Sequence, residues 1–170
     1  MKRLLILRHA KSSWSEAGLG DHERPLNKRG RKAAPLMGAW MAHQGYRPDG
    51  ILCSSSVRTR ETLDLVRPYL GRKIPVMIER RVYLADAHRL LTLLRNLPAD
   101  WDSALLIGHN PGLAELVELL RDPGASRCAA AGKYPTAALA VFDLPVTDWT
   151  RVDSGMGALI ELTRPRDLHD

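Results

Sequence analysis

Apolar and polar positions along this chain follow two alternating periods. Residues 3–8 are an apolar run closed by a charged pair, the pattern of a strand buried on both faces. Residues 10–28 carry no period and contain Gly18, Gly20 and Pro25, so they read as a long loop, and a loop of that length in a compact domain is usually functional or disordered. From Asn27, a good N-cap, a helix is expected through about Gln44, with Ala33, Leu36, Met37, Trp40 and Met41 at helical spacing and Gly45 as its C-cap. A second strand follows at 50–53. A helix is expected over 56–71, with Val57, Leu63, Val66 and Leu70 inward, then a strand at 74–78 and a leucine-rich helix at 86–96 stopped by Pro98. Residues 103–107 form a fourth strand. A helix then runs from Pro111, whose missing N–H is not needed in a first turn, to about Leu120. Residues 122–135 are a loose Gly/Ala-rich loop, 137–143 and 157–162 two further strands, and the polar tail from Thr163 to Asp170 is expected to fray.

Strands alternating with helices of about three turns predict an α/β fold, a three-layer sandwich with a mostly parallel central sheet flanked by helices. No internal repeat or linker divides the chain, so residues 1–170 are expected to form a single domain. In such sheets ligands bind beyond the carboxyl ends of the strands. Three segments fall there: Arg8-His9, Cys53 to Arg58, and Gly108-His109.

Composition narrows the picture only a little. The 170 residues are 45% hydrophobic and 26% charged, as in ordinary globular proteins. There is a single Phe, so aliphatic residues and the four Trp are expected to fill the core. No apolar run reaches the ~18 residues of a membrane span. The apolar start is shorter than a secretory core of ~7–15 residues and stops at Arg8-His9, so a cytoplasmic location is the default. Cys53 and Cys128 have no metal or redox spacing and read as plain thiols. The formal charge of +6 suits an anionic partner. The basic residues are scattered, apart from residues 28–32 and 79–81, and carry no zinc-finger or aromatic RNA-binding pattern, so no nucleic-acid partner is expected.

The strand-end residues share one chemistry. A neutral imidazole such as His9 can attack phosphorus. Arg8 beside it is permanently charged and forked to match phosphate oxygens. Arg58 lies in the first turn of a helix after Ser54-Ser55-Ser56, where an anion is favoured. His109 sits between Gly108 and Gly112, which allow close backbone approach, and in its charged form it donates to a phosphoryl oxygen. Read singly, each has a bland alternative: a charged strand end, a capping serine run, a structural histidine. Together they supply a nucleophile and the charge compensation that phosphoryl transfer needs, without a metal or cofactor. The surrounding cations would keep His9 neutral.

The stretch from Leu7 to Ser15 resembles the Arg-His-Gly signature of the histidine phosphatase superfamily. The stretches Ser54 to Thr62 and Ile107 to Gly112 resemble its second and third signatures, and Leu26 to Gly30 fits its first-helix start. Their order matches too, over residues 3 to about 163. Residues 10–14 and 21–27 are most similar to the SixA-type phosphohistidine phosphatases. The resemblance implies a phosphoglycerate mutase-like fold, His9 as nucleophile, and Arg8, Arg58 and His109 as a pocket for a phosphate or sulfate anion. Ala10 replaces the usual Gly, Cys53 stands where a Ser is often found, and Ser15 takes the place of a phosphate-pocket Asn. Glu79, at the end of the third strand, falls where many relatives place the acid; Asp21 and Glu23 are further candidates. Lys11, Trp14 and Arg24, on or beside the long loop, are candidate substrate contacts. His22, His43, His88 and His169 have no motif of their own.

The expected function is hydrolysis of phosphomonoesters or phosphoramidates through a phosphohistidine on His9, foremost dephosphorylation of phosphohistidine in a protein. A small-molecule phosphatase acting on a sugar or nucleotide phosphate is the rival enzyme. A phosphate-binding or scaffolding module is the non-enzyme alternative. An alkoxide leaving group strongly needs an acid, whereas an imidazole with a pKa near ~6.5 departs with little help, so a poorly marked acid fits a P–N substrate.

Overall fold

The computed structural model describes residues 1–71, 73–129 and 133–168. Its strands are β1 (Lys2–Arg8), β2 (Gly50–Ser54), β3 (Val76–Glu79), β4 (Ser103–Gly108), β5 (Leu139–Leu144) and β6 (Ala158–Thr163). Its helices are α1 (Lys28–His43), α2 (Val57–Val66), α3 (Ala87–Arg95) and α4 (Gly112–Leu120). The six strands form one sheet in the order β3-β2-β4-β1-β5-β6. β3, β2, β4 and β1 run parallel, and β5 pairs antiparallel with both β1 and β6.

The sheet is the middle of three layers because its strands are apolar on both faces. Leu4 and Ile6 of β1 pack with Leu90, Leu94, Leu113 and Leu116 of α3 and α4. Leu5 and Leu7 point the other way, to Met37, Met41, Leu63 and Val66 of α1 and α2. The α/β sandwich and its mostly parallel sheet follow the sequence pattern. Among the described residues no helix is long and apolar enough to cross a membrane.

Several local expectations change. The helix expected over 56–71 gives way after Val66 to a 3₁₀ turn, Arg67–Tyr69, because Pro68 has no N–H for the helical ladder. Gly71 (φ +96°) completes the turn. Pro111 caps α4 rather than opening it. The long loop is tied by a bridge between Ser12 and Leu26 and holds a 3₁₀ turn at Asp21–Glu23. The tail forms a 3₁₀ turn, Pro165–Leu168, where fraying was expected. Residues 169–170, with His169, and part of the 122–135 loop lie outside the described residues. Trp101 and Trp149 are buried, whereas Trp14 is 77% exposed and Leu36 of α1 is exposed too, so neither joins the core.

Candidate active site

β1 and β4 end side by side, with Arg8 opposite Gly108 in a parallel register. That register carries the next residues, His9 and His109, to the same end of the sheet. The His9 amide continues the ladder by donating to the Gly108 carbonyl at 3.0 Å. The two imidazole rings lie 5.3 Å apart, centre to centre. Both are buried, as is Arg58 in the first turn of α2. Thr62 joins these parts: its hydroxyl accepts from the Ala10 amide at 3.0 Å and donates to the Arg58 carbonyl at 2.7 Å. Ser56 caps α2 by accepting from Thr59.

His9 Nδ1 lies 2.7 Å from the Ala10 carbonyl oxygen. That oxygen can only accept, so Nδ1 carries the proton and a neutral ring keeps its lone pair on Nε2. Burial, and then the charges of Arg58, Arg8 and Arg24, press the His9 pKa down to about 4 despite the bond to Ala10. His109 is pushed lower, to about 3, first by burial and then by His9, Arg58 and Arg8. Both rings are therefore neutral at pH 7. His109 Nε2 is 2.7 Å from the Ser54 hydroxyl, and its Nδ1 is buried with no hydrogen-bond partner. Arg8 Nε and Arg58 Nε are likewise buried and unpartnered among the described residues. Burial and the Arg58 charge lower the Arg8 pKa, the expected strain of two guanidinium groups sharing a site.

The remaining expected residues divide. Arg24 is buried and braces the loop, bonding Ser12 at 2.8 Å and Asp21 at 3.1 Å while its guanidinium lies 3.4 Å from the Trp14 ring centre. Ser15 lies in the exposed part of the loop and bonds Ser13 at 2.8 Å. Lys11 is exposed and faces a basic groove beside the site. Glu79 ends β3 next to Ser54 of β2. Its carboxylate accepts from the Arg81 amide at 3.0 Å, Nε at 2.9 Å and guanidinium at 3.0 Å. Those bonds lower its pKa to about 2. Glu79 is thus an ionised turn cap in this arrangement, at the place where the sequence suggested a proton donor.

Three contributions escape motif reading. Asp21, expected at most as an acid, accepts from Arg58 through both its backbone carbonyl (2.7 Å) and its carboxylate (3.0 Å). Tyr83 also donates to that carboxylate. Partial burial alone would raise the Asp21 pKa, but the bonds from Tyr83 and Arg58 bring it to about 2. The Tyr83 ring stands edge-on to both His109 (5.3 Å) and His22 (4.8 Å). His22 in turn meets the Ser55 hydroxyl at 2.9 Å, which places it at the rim of the site. Asp21 and Tyr83 lie 62 residues apart, and nothing in either neighbourhood marks the pair.

The arrangement sets an imidazole with a fixed tautomer beside a second imidazole and two arginines, and each of these last three groups carries one unpartnered buried nitrogen. Such a site takes a tetrahedral oxyanion and transfers its central atom. Among the described residues no group of three or more His, Cys, Asp or Glu is placed to hold a metal ion.

Residues 4–83 match the histidine phosphatase superfamily (branch 1). An uncharacterized protein of Mycobacterium tuberculosis is 30% identical over 164 residues, spanning 94% of this chain and all of the relative. The chain belongs to the histidine phosphatase superfamily and is a hydrolase of the phosphatase class. Among solved structures it resembles a protein of Agrobacterium tumefaciens described as a phosphohistidine phosphatase SixA. The TM-score is 0.81 at 29% identity, over 96% of this chain and 98% of that one. It also resembles the protein histidine phosphatase SixA complexed with tungstate, with a TM-score of 0.79 at 25% identity over 98% and 99% of the two chains.

Proposed function

We propose that this protein dephosphorylates phosphohistidine in a protein, in two steps through His9. The observation that carries the reading is the state of His9: buried, neutral, with Nδ1–H tied to the Ala10 carbonyl and Nε2 left as the nucleophile. In the first step Nε2 attacks phosphorus in line with the scissile P–N bond. The substrate ring, protonated from solvent on its unphosphorylated nitrogen, loses its P–N bond as a P–Nε2 bond forms, and it leaves as a neutral imidazole that keeps that proton. In the second step water attacks the phosphorylated His9, inorganic phosphate departs, and the ring returns to its starting tautomer.

Arg8, Arg58 and His109 are the proposed phosphate pocket, since their unpartnered buried nitrogens are donors or can become donors toward an anion. A bound phosphoryl group favours the protonated form of nearby bases, so His109 is expected to gain a proton as substrate binds. A SixA relative of this fold is complexed with tungstate, a tetrahedral oxyanion, which supports an oxyanion as the ligand here. A P–N substrate is favoured by the state of the acids: Glu79 and Asp21 are both held ionised, near pKa 2, by arginine and tyrosine donors. A phosphate ester would need a proton from one of them. The same reading sets the protein in the cytoplasm, in keeping with two free cysteines.

The test is a substrate comparison in EDTA. A phosphohistidine-bearing protein, free phosphohistidine, and a panel of sugar and nucleotide phosphates are offered to the wild type and to His9→Ala. Faster turnover of the phosphohistidine substrates, lost in His9→Ala, is expected. Preference for one ester by a large factor would replace this reading with the small-molecule one.

A further inference from the structure

Beside the site lies a groove of about 400 Å³ whose lining includes Lys11, Arg29, Lys32, Lys133, Arg164 and Arg166. Among the described residues no carboxylate lines it and none of these six cations pairs with one. Asp167, the nearest acid in sequence, caps the Arg164 amide at 2.9 Å and lines the neighbouring hollow. Like charges left unpaired beside one another repel and do not stabilise the fold; they suit an anionic partner.

Its position links it to the histidines. Lys11 is two residues from His9, and its carbonyl accepts from the Asn27 amide that begins α1. On the other wall, the Tyr134 carbonyl, between Lys133 and Pro135, accepts from Arg8 at 3.2 Å. From that end the groove follows α1. Arg29, Lys32, Ala33 and Leu36 recur at helical spacing on one side of it. At Leu36 it meets a hollow of about 540 Å³ where Trp40, Leu162 and Leu168 are joined by His43, Thr163 and Asp167. From Arg29 to Trp40 this face runs roughly 16 Å at 1.5 Å per residue, longer than a single phosphate or phosphosugar.

We infer that this face is a docking groove for the phosphoprotein substrate, occupied by a segment with acidic residues near the phosphohistidine and an apolar residue farther along. The inference rests on the phosphohistidine reading for its substrate. The cations give attraction and register, and the exposed Leu36 with the hollow beyond it gives the apolar anchor.

Two measurements test it. In the first, fluorescein-labelled unphosphorylated peptides of alternating Glu and Leu, or of Lys and Leu, are titrated with the protein by anisotropy. The acidic peptide is expected to bind, more weakly as salt rises, and the Arg29→Glu/Lys32→Glu/Arg166→Glu variant to bind it about tenfold more weakly. In the second, that variant is expected to raise KM for a phosphohistidine peptide with acidic flanks by a similar factor and to leave kcat/KM for phosphoimidazole unchanged. Equal binding of the two peptides, or an unaltered peptide affinity in the variant, would overturn the groove. Wild type that binds the acidic peptide but does not turn over phosphoimidazole would instead overturn the phosphatase reading.

Discussion

The Ala10 carbonyl decides which nitrogen of His9 can react. By accepting from Nδ1 at 2.7 Å it leaves Nε2 unprotonated, and burial among arginines extends that state far below the usual imidazole range, to a pKa of about 4. An NMR titration of His9 is accordingly expected to show a neutral ring down to pH 5; a midpoint near ~6.5 would mean a wetter, less charged pocket. The same shift has a stability consequence. Because the pKa is lower folded than unfolded, the unfolded chain takes up more protons between about pH 6.5 and 4, so stability falls with pH across that window. In His9→Asn the fall should be shallower, as urea midpoints at pH 7 and 5 would register. Glu79 gives a second test. As an ionised cap on Arg81, its replacement in Glu79→Gln should leave phosphohistidine turnover nearly intact. A large and equal loss on phosphohistidine and on an alkyl phosphate would restore it as a general acid. The histidines and arginines were legible in the sequence because strand ends and helix starts have recognisable signatures. Asp21 and Tyr83 were not, because their link to Arg58 exists only once the loop folds over α2.

Elements meet at the site through close backbone approach. A Cβ added at Gly112, the first residue of α4, would sit 1.9 Å from the Ala85 carbonyl oxygen, and one at Gly30 in α1 would sit 2.2 Å from the Lys11 carbonyl oxygen. Backbone cannot yield as a flexible side chain does. Gly112→Ala is expected to cost about 2 kcal/mol or more and to displace His109 with it, judged by urea unfolding and by activity. At Gly108 the nearest atom is a leucine methyl at 3.3 Å, so Gly108→Ala should cost much less. Similar midpoints for the two variants would show that α4 shifts freely. The helices and strands themselves were readable from apolar period and capping residues; Asn27 caps α1 as expected. The early end of α2 and the ordering of the tail were harder, since a proline's lost bond and a contact with α1 decide them rather than local period.

Across the whole molecule, the sheet sets the chemistry and its surroundings set the partner. Parallel β1 and β4 in register, with β2 beside β4, deliver three chain-distant motifs to one end, which is why their order in the sequence already pointed there. The basic groove was only partly visible in sequence: the run at 28–32 stood out, but Lys11, Lys133, Arg164 and Arg166 read as scattered charge until the fold gathers them beside it. The central claim is the covalent step on His9. It is tested most directly by mixing enzyme with a radiolabelled phosphohistidine protein, quenching in alkali within a turnover, and mapping the label by proteolysis. The account predicts acid-labile, alkali-stable label on the peptide containing His9, absent in His9→Ala. Turnover with no label on that peptide at any quench time, or label on His109 instead, would contradict it.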